Sequence, residues 1–201
     1  RGVILVAKQI LNGFKTDGEV RDYKRYGNGH INDTYLLITD KGKKYILQRI
    51  NHLVFKNVEK LMENQELITK YIAKKLREQE NFDNRLLLNI VHAKDHKCFL
   101  MFDNNFYRCY EFIEGGECLE KITHPLQFEL SGIAFGRFQK LLNGFNAGAL
   151  FETIPDFHNT KKRFYNLALA VKQDKCGRKK DCANIIYEYL KRKDYASRVV
   201  D

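Results

Sequence analysis

Short apolar bursts mark the first half of the chain, and longer helical stripes mark the second. Val3–Leu11 is a short apolar stretch with helical spacing. Tyr35–Thr39 and Lys44–Arg49 are rich in aromatic and β-branched residues, which suit a pleated, half-buried surface. Between them, Asp40-Lys41-Gly42-Lys43 supplies the Gly of a tight hairpin turn. A helix is predicted next. Asn57 is its N-cap, Glu59 stands in its first turn, and Lys74, Lys75 and Arg77 gather at its far end, matching the helix dipole at both ends. Leu61, Met62, Leu67, Ile68, Ile72 and Leu76 recur at approximately helical spacing. Leu88–Ala93, Cys98–Phe102 and Phe106–Ile113 then read as three meandering strands with turns at 94–97 and 103–105.

After Glu114-Gly115-Gly116 the period changes. Pro125, tolerated in a first turn, opens a helix carrying Leu126, Phe128, Leu130, Ile133, Phe135, Phe138, Leu141 and Leu142. The aromatic series Phe128, Phe135, Phe138 and Phe145 is expected to be core. A loop over Phe151–Asn159 leads to helices over Thr160–Gln173 and Asp181–Lys193. The expectation is an α+β chain with a strand-rich lobe over 1–114 and a helical one over 115–201.

Composition narrows the class. Of 201 residues, 44% are hydrophobic, enough for a core and too many for a disordered chain. No apolar run approaches a membrane span. The net charge is +10, with twelve Lys/Arg against five Asp/Glu in residues 161–201. Such a balance suits nucleic acid, an anionic membrane surface or a phosphate-bearing small molecule. Five cysteines, Cys98, Cys109, Cys118, Cys176 and Cys182, form no CxxC pair. That favours a reduced, cytoplasmic protein, and Cys176 and Cys182 lack the further neighbours a zinc site needs.

The segment Tyr26-Gly-Asn-Gly-His-Ile-Asn-Asp-Thr-Tyr35 carries the most chemistry. Two Gly at i and i+2 let backbone approach an anion. In a dinucleotide-binding turn a helix would follow. Here β-branched and aromatic residues lead into a hairpin, so the candidates are a phosphate-covering loop of kinase type and an ordinary Gly-Asn-Gly turn. The kinase pattern needs a cation on the third strand and an acid on the next helix to hold it. Arg49 ends the basic strand, and Glu63 and Glu66 lie on the helix. A solvated strand end beside two surface charges fits the same residues.

Several blocks in order resemble the aminoglycoside phosphotransferase/choline kinase superfamily, and within it the N-acetylhexosamine 1-kinases. They are Gly27–Thr34, Tyr45–Asn51, Phe55, Leu61–Asn64, Tyr107-Arg108, Phe135–Phe138 and Glu152–Thr160. The resemblance implies a protein-kinase-like fold: a five-stranded antiparallel N-lobe with one main helix, then the first helices of an α-helical C-lobe. It implies ATP- and Mg-dependent phosphorylation of a small acceptor, here the anomeric hydroxyl of an N-acetylhexosamine. Gly27, Asn28, Gly29, His30, Ile31 and Asn32 become the phosphate loop. Arg49 becomes the counterpart of the strand-three Lys, with Glu63 its helix partner and Glu66 second. Tyr110, Glu111, Phe112 and Ile113 become the adenine-binding hinge, and His158 and Asn159 are candidates for the acceptor pocket.

The family's catalytic loop, a His-x-Asp core followed by an Asn and a later metal-binding Asp, has no counterpart here. Phe157-His-Asn-Thr160 lacks the Asp. The expectation is therefore the N-terminal part of a longer kinase, inactive alone, with its catalytic Asp beyond Asp201 and no metal ligands within the chain. Other acceptors (choline, an aminoglycoside, another sugar) and a non-catalytic basic module binding nucleic acid stay open. The expected partners are ATP and an amino sugar, with no membrane.

Overall fold

In the computed structural model the described residues are 7–80, 82–116, 119 and 121–198. By contacts the chain forms two compact units, Arg1–Thr153 and Ile154–Asp201. The first holds all the strands: β1 (Val20–Arg25), β2 (Asp33–Thr39), β3 (Lys44–Ile50), β4 (Ile90–Val91), β5 (Leu100–Phe102) and β6 (Asn105–Glu111). The sheet runs β1-β2-β3-β6-β4, a path of five strands, with the short β5 paired to β6 beside it. Every pairing is antiparallel. Asp103 and Asn104 both adopt positive φ between β5 and β6, the backbone of a two-residue hairpin turn.

β1 is the element that the hydrophobic pattern hid. Its sequence is Val-Arg-Asp-Tyr-Lys-Arg, and only Val20 and Tyr23 are half-buried. An edge strand solvated on one face carries too few apolar residues to declare itself.

The two faces of the sheet bury different things. Tyr35 and Leu37, Tyr45 and Leu47, and Tyr107 and Cys109 point to one face, where Ile10, Phe14, Val91 and Ala93 complete a core. Ile10 belongs to the short helix α1 (Lys8–Leu11); the rest of the predicted Val3–Leu11 helix lies outside the described residues. The other face receives α2 (Val58–Arg77). Val58 and Met62 pack with Ile50 and Phe99 at its start, and Ile72 and Leu76 pack with Leu87 near its end. Asn57 caps α2, its side chain accepting from the Lys60 amide at 3.0 Å.

A third helix, α3 (Pro125–Leu141), follows. Leu141 and Leu142 rest on the Ile72–Leu76–Leu87 cluster, and Tyr71 donates to the Asn143 carbonyl at 2.8 Å. The aromatic series expected in the core is not buried: Phe128 is 71% and Phe135 69% exposed, and Phe138 is exposed as well. Phe145 is half-buried, with its ring 5.1 Å from Tyr71. The physical reason is that only the C-terminal end of α3 meets another layer. The second unit contains α4 (Thr160–Gln173) and α5 (Ala183–Leu190). No helix among the described residues is long and apolar enough to cross a membrane.

Candidate nucleotide site

Residues 26–32 turn between antiparallel β1 and β2, and no helix starts at Gly29. Gly27 has φ +71°, and a Cβ there would meet nothing within 4 Å. The segment 26–31 is exposed, with its backbone accessible to an anion. Its two ends are braced. The Tyr26 amide donates to Thr34 at 2.9 Å, and the Asn32 side chain accepts from the Asn51 amide at 3.0 Å. Arg25 pairs with Asp33 at 2.9 Å.

Asp33 also receives Arg49, through Nε at 2.9 Å and through Nη2. Burial alone would raise the Asp33 carboxyl, but the guanidiniums of Arg49 and Arg25 outweigh it and hold it below the usual carboxylate range. Arg49 Nη1 completes the set by donating to Asn105 at 3.2 Å. The expected pairing of Arg49 with Glu63 or Glu66 is therefore corrected. Arg49 is in phase with Tyr45 and Leu47 along β3, so it belongs to their face, opposite α2. Glu63 instead pairs with Lys60 at 2.6 Å on the exposed side of α2.

The groups that do meet α2 come from the alternate positions. Gln48 and Arg108 are Cα partners across β3 and β6. Arg108 Nε donates to Gln48 Oε1 at 3.0 Å, and its Nη1 to Gln65 Oε1 at 3.3 Å. Gln48 Nε2 donates to Thr34 Oγ1 at 3.0 Å. Tyr110 donates to Gln65 Oε1 at 2.8 Å. Burial pulls the Arg108 guanidinium below its usual value and pushes the Tyr110 phenol up. The cation facing the helix is thus Arg108, one strand over from the position expected.

Of the hinge candidates, Tyr110 and Glu111 end β6, and Phe112 and Ile113 follow it. The Glu111 amide donates to the Asn89 carbonyl at 3.0 Å and the Phe112 amide to the Lys44 carbonyl at 3.1 Å. Tyr26 of the glycine loop packs edge-on against Phe112 at 5.8 Å, joining the loop to the segment that follows β6. In the second unit, Asn159 caps α4, accepting from the Lys162 amide at 2.9 Å. His158 meets the Phe157 ring edge-on, with centroids 4.7 Å apart.

No protein-family model matches the sequence. The structure is similar to the crystal structure of an aminoglycoside phosphotransferase from Alicyclobacillus acidocaldarius subsp. acidocaldarius DSM 446, with TM-score 0.52 and 11% identity over 86% of this chain and 46% of that one. The fold is the kinase-like fold of that phosphotransferase. A spectinomycin phosphotransferase solved with ADP and spectinomycin matches with TM-score 0.43 and 12% identity, over 84% of this chain and 51% of that one. The chain spans about half the length of the structures it matches.

Within this kinase-like fold, one polar cluster was not expected from the sequence. Glu66 Oε1 meets Lys70 Nζ at 2.8 Å and His92 Nε2 at 3.1 Å, and its Oε2 accepts from Cys98 at 3.0 Å. Hydrogen bonds from Lys70 first, then Cys98 and His92, pull the Glu66 carboxyl down to about 2. Burial, and then the Glu66 charge, push the Cys98 thiol up to about 12. Glu66, His92 and Cys98 are the one group of three metal-capable side chains among the described residues. Its thiol and imidazole do not fit Mg, which takes oxygen ligands, and an ammonium already occupies the carboxylate. These residues therefore offer Mg no site.

The signal for Gln48 and Arg108 was present in the strand period. In Lys44–Ile50 the residues facing α2 are Ile46, Gln48 and Ile50, and Arg49 falls between them. On α2 the apolar stripe of Val58 and Met62 is interrupted by Gln65, Glu66 and Thr69 before Ile72 and Leu76 resume it. That interruption marks where the helix passes beneath polar strand residues.

Proposed function

We propose that this chain holds the nucleotide in an ATP-dependent phosphotransferase whose acceptor is a small hydroxyl compound. The observation that carries the reading is the glycine loop at 26–32. It spans two antiparallel strands, exposes its backbone, and is braced at both ends by Arg25–Asp33 and Asn32–Asn51. Backbone N–H groups in such a turn suit phosphate oxygens, and a braced loop pays little ordering entropy on binding. Tyr110–Ile113 would border the adenine. The lobe boundary near residue 114 belongs to the same reading. ATP, when bound, supplies the phosphoryl group. The chain's own part is to position it, the main source of catalysis in this class.

For the whole protein the acceptor we propose is an N-acetylhexosamine, phosphorylated at the anomeric oxygen, on the motif resemblance described above. The general base would be an Asp that this chain does not contain, so the chain alone would not turn over sugar. A cytoplasmic location agrees with the cysteine pattern.

Equilibrium titration of the chain with ATP, ADP and a short oligonucleotide at two salt concentrations tests the reading. The expected result is ATP binding displaced by ADP. Oligonucleotide binding with a steep salt slope and no nucleotide affinity would instead identify a basic nucleic-acid module.

A further inference from the structure

In the kinase pattern a strand-three Lys is held toward the phosphates by an ion pair with a helix Glu. Here the equivalent face of the sheet presents Gln48 on β3, Arg108 on β6 and Gln65 on α2, joined by hydrogen bonds at 3.0 and 3.3 Å. Both partners are neutral amides, so the cluster keeps a full positive charge. The donor order is self-consistent: Tyr110 and Arg108 both give to the Gln65 oxygen, Arg108 gives to the Gln48 oxygen, and the Gln48 nitrogen gives to Thr34.

Arg49 differs in each respect. Its Nε and Nη2 both go to Asp33 and its Nη1 to Asn105. It shares its carboxylate with Arg25, and it lies on the face away from α2. A guanidinium has five N–H donors. Two of those on Arg108 are used in the contacts above, and no ion pair among the described residues includes it. It also borders an open cavity of about 1190 Å³ formed by α2, residues 86–88 and α3, which includes Gln65, Ile68, Leu87 and Phe138 and no residue of 26–32 or 110–113. A partly buried, unneutralised fork with open donors is suited to an oxyanion, and its planar geometry matches phosphate oxygens in pairs.

We propose that Arg108, oriented by Gln48 and Gln65, is the cation that binds the nucleotide's phosphates, in place of a strand-three Lys and of Arg49. The assignment rests on the phosphotransferase reading above. Gln48 and Gln65 are positioning residues. They hold the guanidinium between β3 and α2 without cancelling its charge.

The test is equilibrium binding of ATP, ADP and adenosine to the chain and to its Arg108→Gln, Arg108→Lys and Arg49→Gln variants, each first checked for a cooperative thermal transition. Arg108→Gln is expected to weaken ATP and ADP by about 10- to 100-fold while adenosine changes by less than about twofold. Arg108→Lys falls between, because it keeps charge and loses the fork. A merely structural role would weaken adenosine equally, so the ATP-to-adenosine ratio is the decisive quantity. If Arg108→Gln does not fold, the ratio on Arg108→Lys decides. An unchanged ratio in the Arg108 variants, or a larger loss in Arg49→Gln, overturns the assignment and leaves the phosphotransferase reading standing. Failure of the unmodified chain to bind either nucleotide overturns that reading, and this assignment with it.

Discussion

Glu66 shows how a single carboxylate records its surroundings. Lys70, Cys98 and His92 all meet it, and its carboxyl is drawn from 4.5 to about 2. A depressed folded value means the stabilisation is complete above the unfolded value and is lost as pH falls through the folded one. The window therefore runs from about pH 5 down to about pH 2. Glu66→Gln is expected to cost about 1 kcal/mol near neutrality, since Lys70 is solvated and screened. That difference from the parent chain should shrink toward zero at about pH 2, as read from urea midpoints. A constant difference across the range would contradict the assignment of the shift to Glu66. Glu66 was legible as an acid on the helix and as the second candidate to meet Arg49. Its partners were not, because His92 and Cys98 arrive from segments whose register no local pattern encodes.

Among the elements, β1, β2 and β3 share one electrostatic brace. Asp33 opens β2 and takes Arg25 from the end of β1 and Arg49 from the end of β3. Asp33→Ala would leave two guanidiniums side by side without their acid. We expect a loss of about 2 kcal/mol in stability and faster amide exchange over residues 26–32, measured by hydrogen exchange. Protection unchanged in that loop would show that Asn32 and Asn51 suffice to brace it. The β2–β3 hairpin and α2 could be read from the sequence, because a Gly turn and an Asn cap with charged ends are local signals. β1 could not, having two half-buried side chains in six residues. Arg49 was misread for a related reason: its place at the strand end fitted the motif order, while the two-residue period set its face.

At the scale of the whole molecule, periodicity told which faces are apolar but not what covers them. The aromatic stripe of α3 follows helical spacing, yet Phe128 and Phe135 stand exposed, and it is Leu141 at the end of α3, with Leu142 and Phe145 beyond it, that rests on α2. The α+β class was legible because strand-like bursts give way to helical stripes after residue 116, while the kinase-like fold was implied by the motif resemblance and not by the order of elements alone. The proposed site in the first unit lies between the glycine loop and residues 110–113, with the nucleotide's phosphates toward Arg108. Mapping backbone amide shifts of the isotopically labelled chain during an ADP titration tests this most directly. Shifts are expected to concentrate at 27–32, at 110–113, and at Gln48, Gln65 and Arg108. Shifts confined to the basic stretch 178–193, or none at saturating ADP, would contradict it.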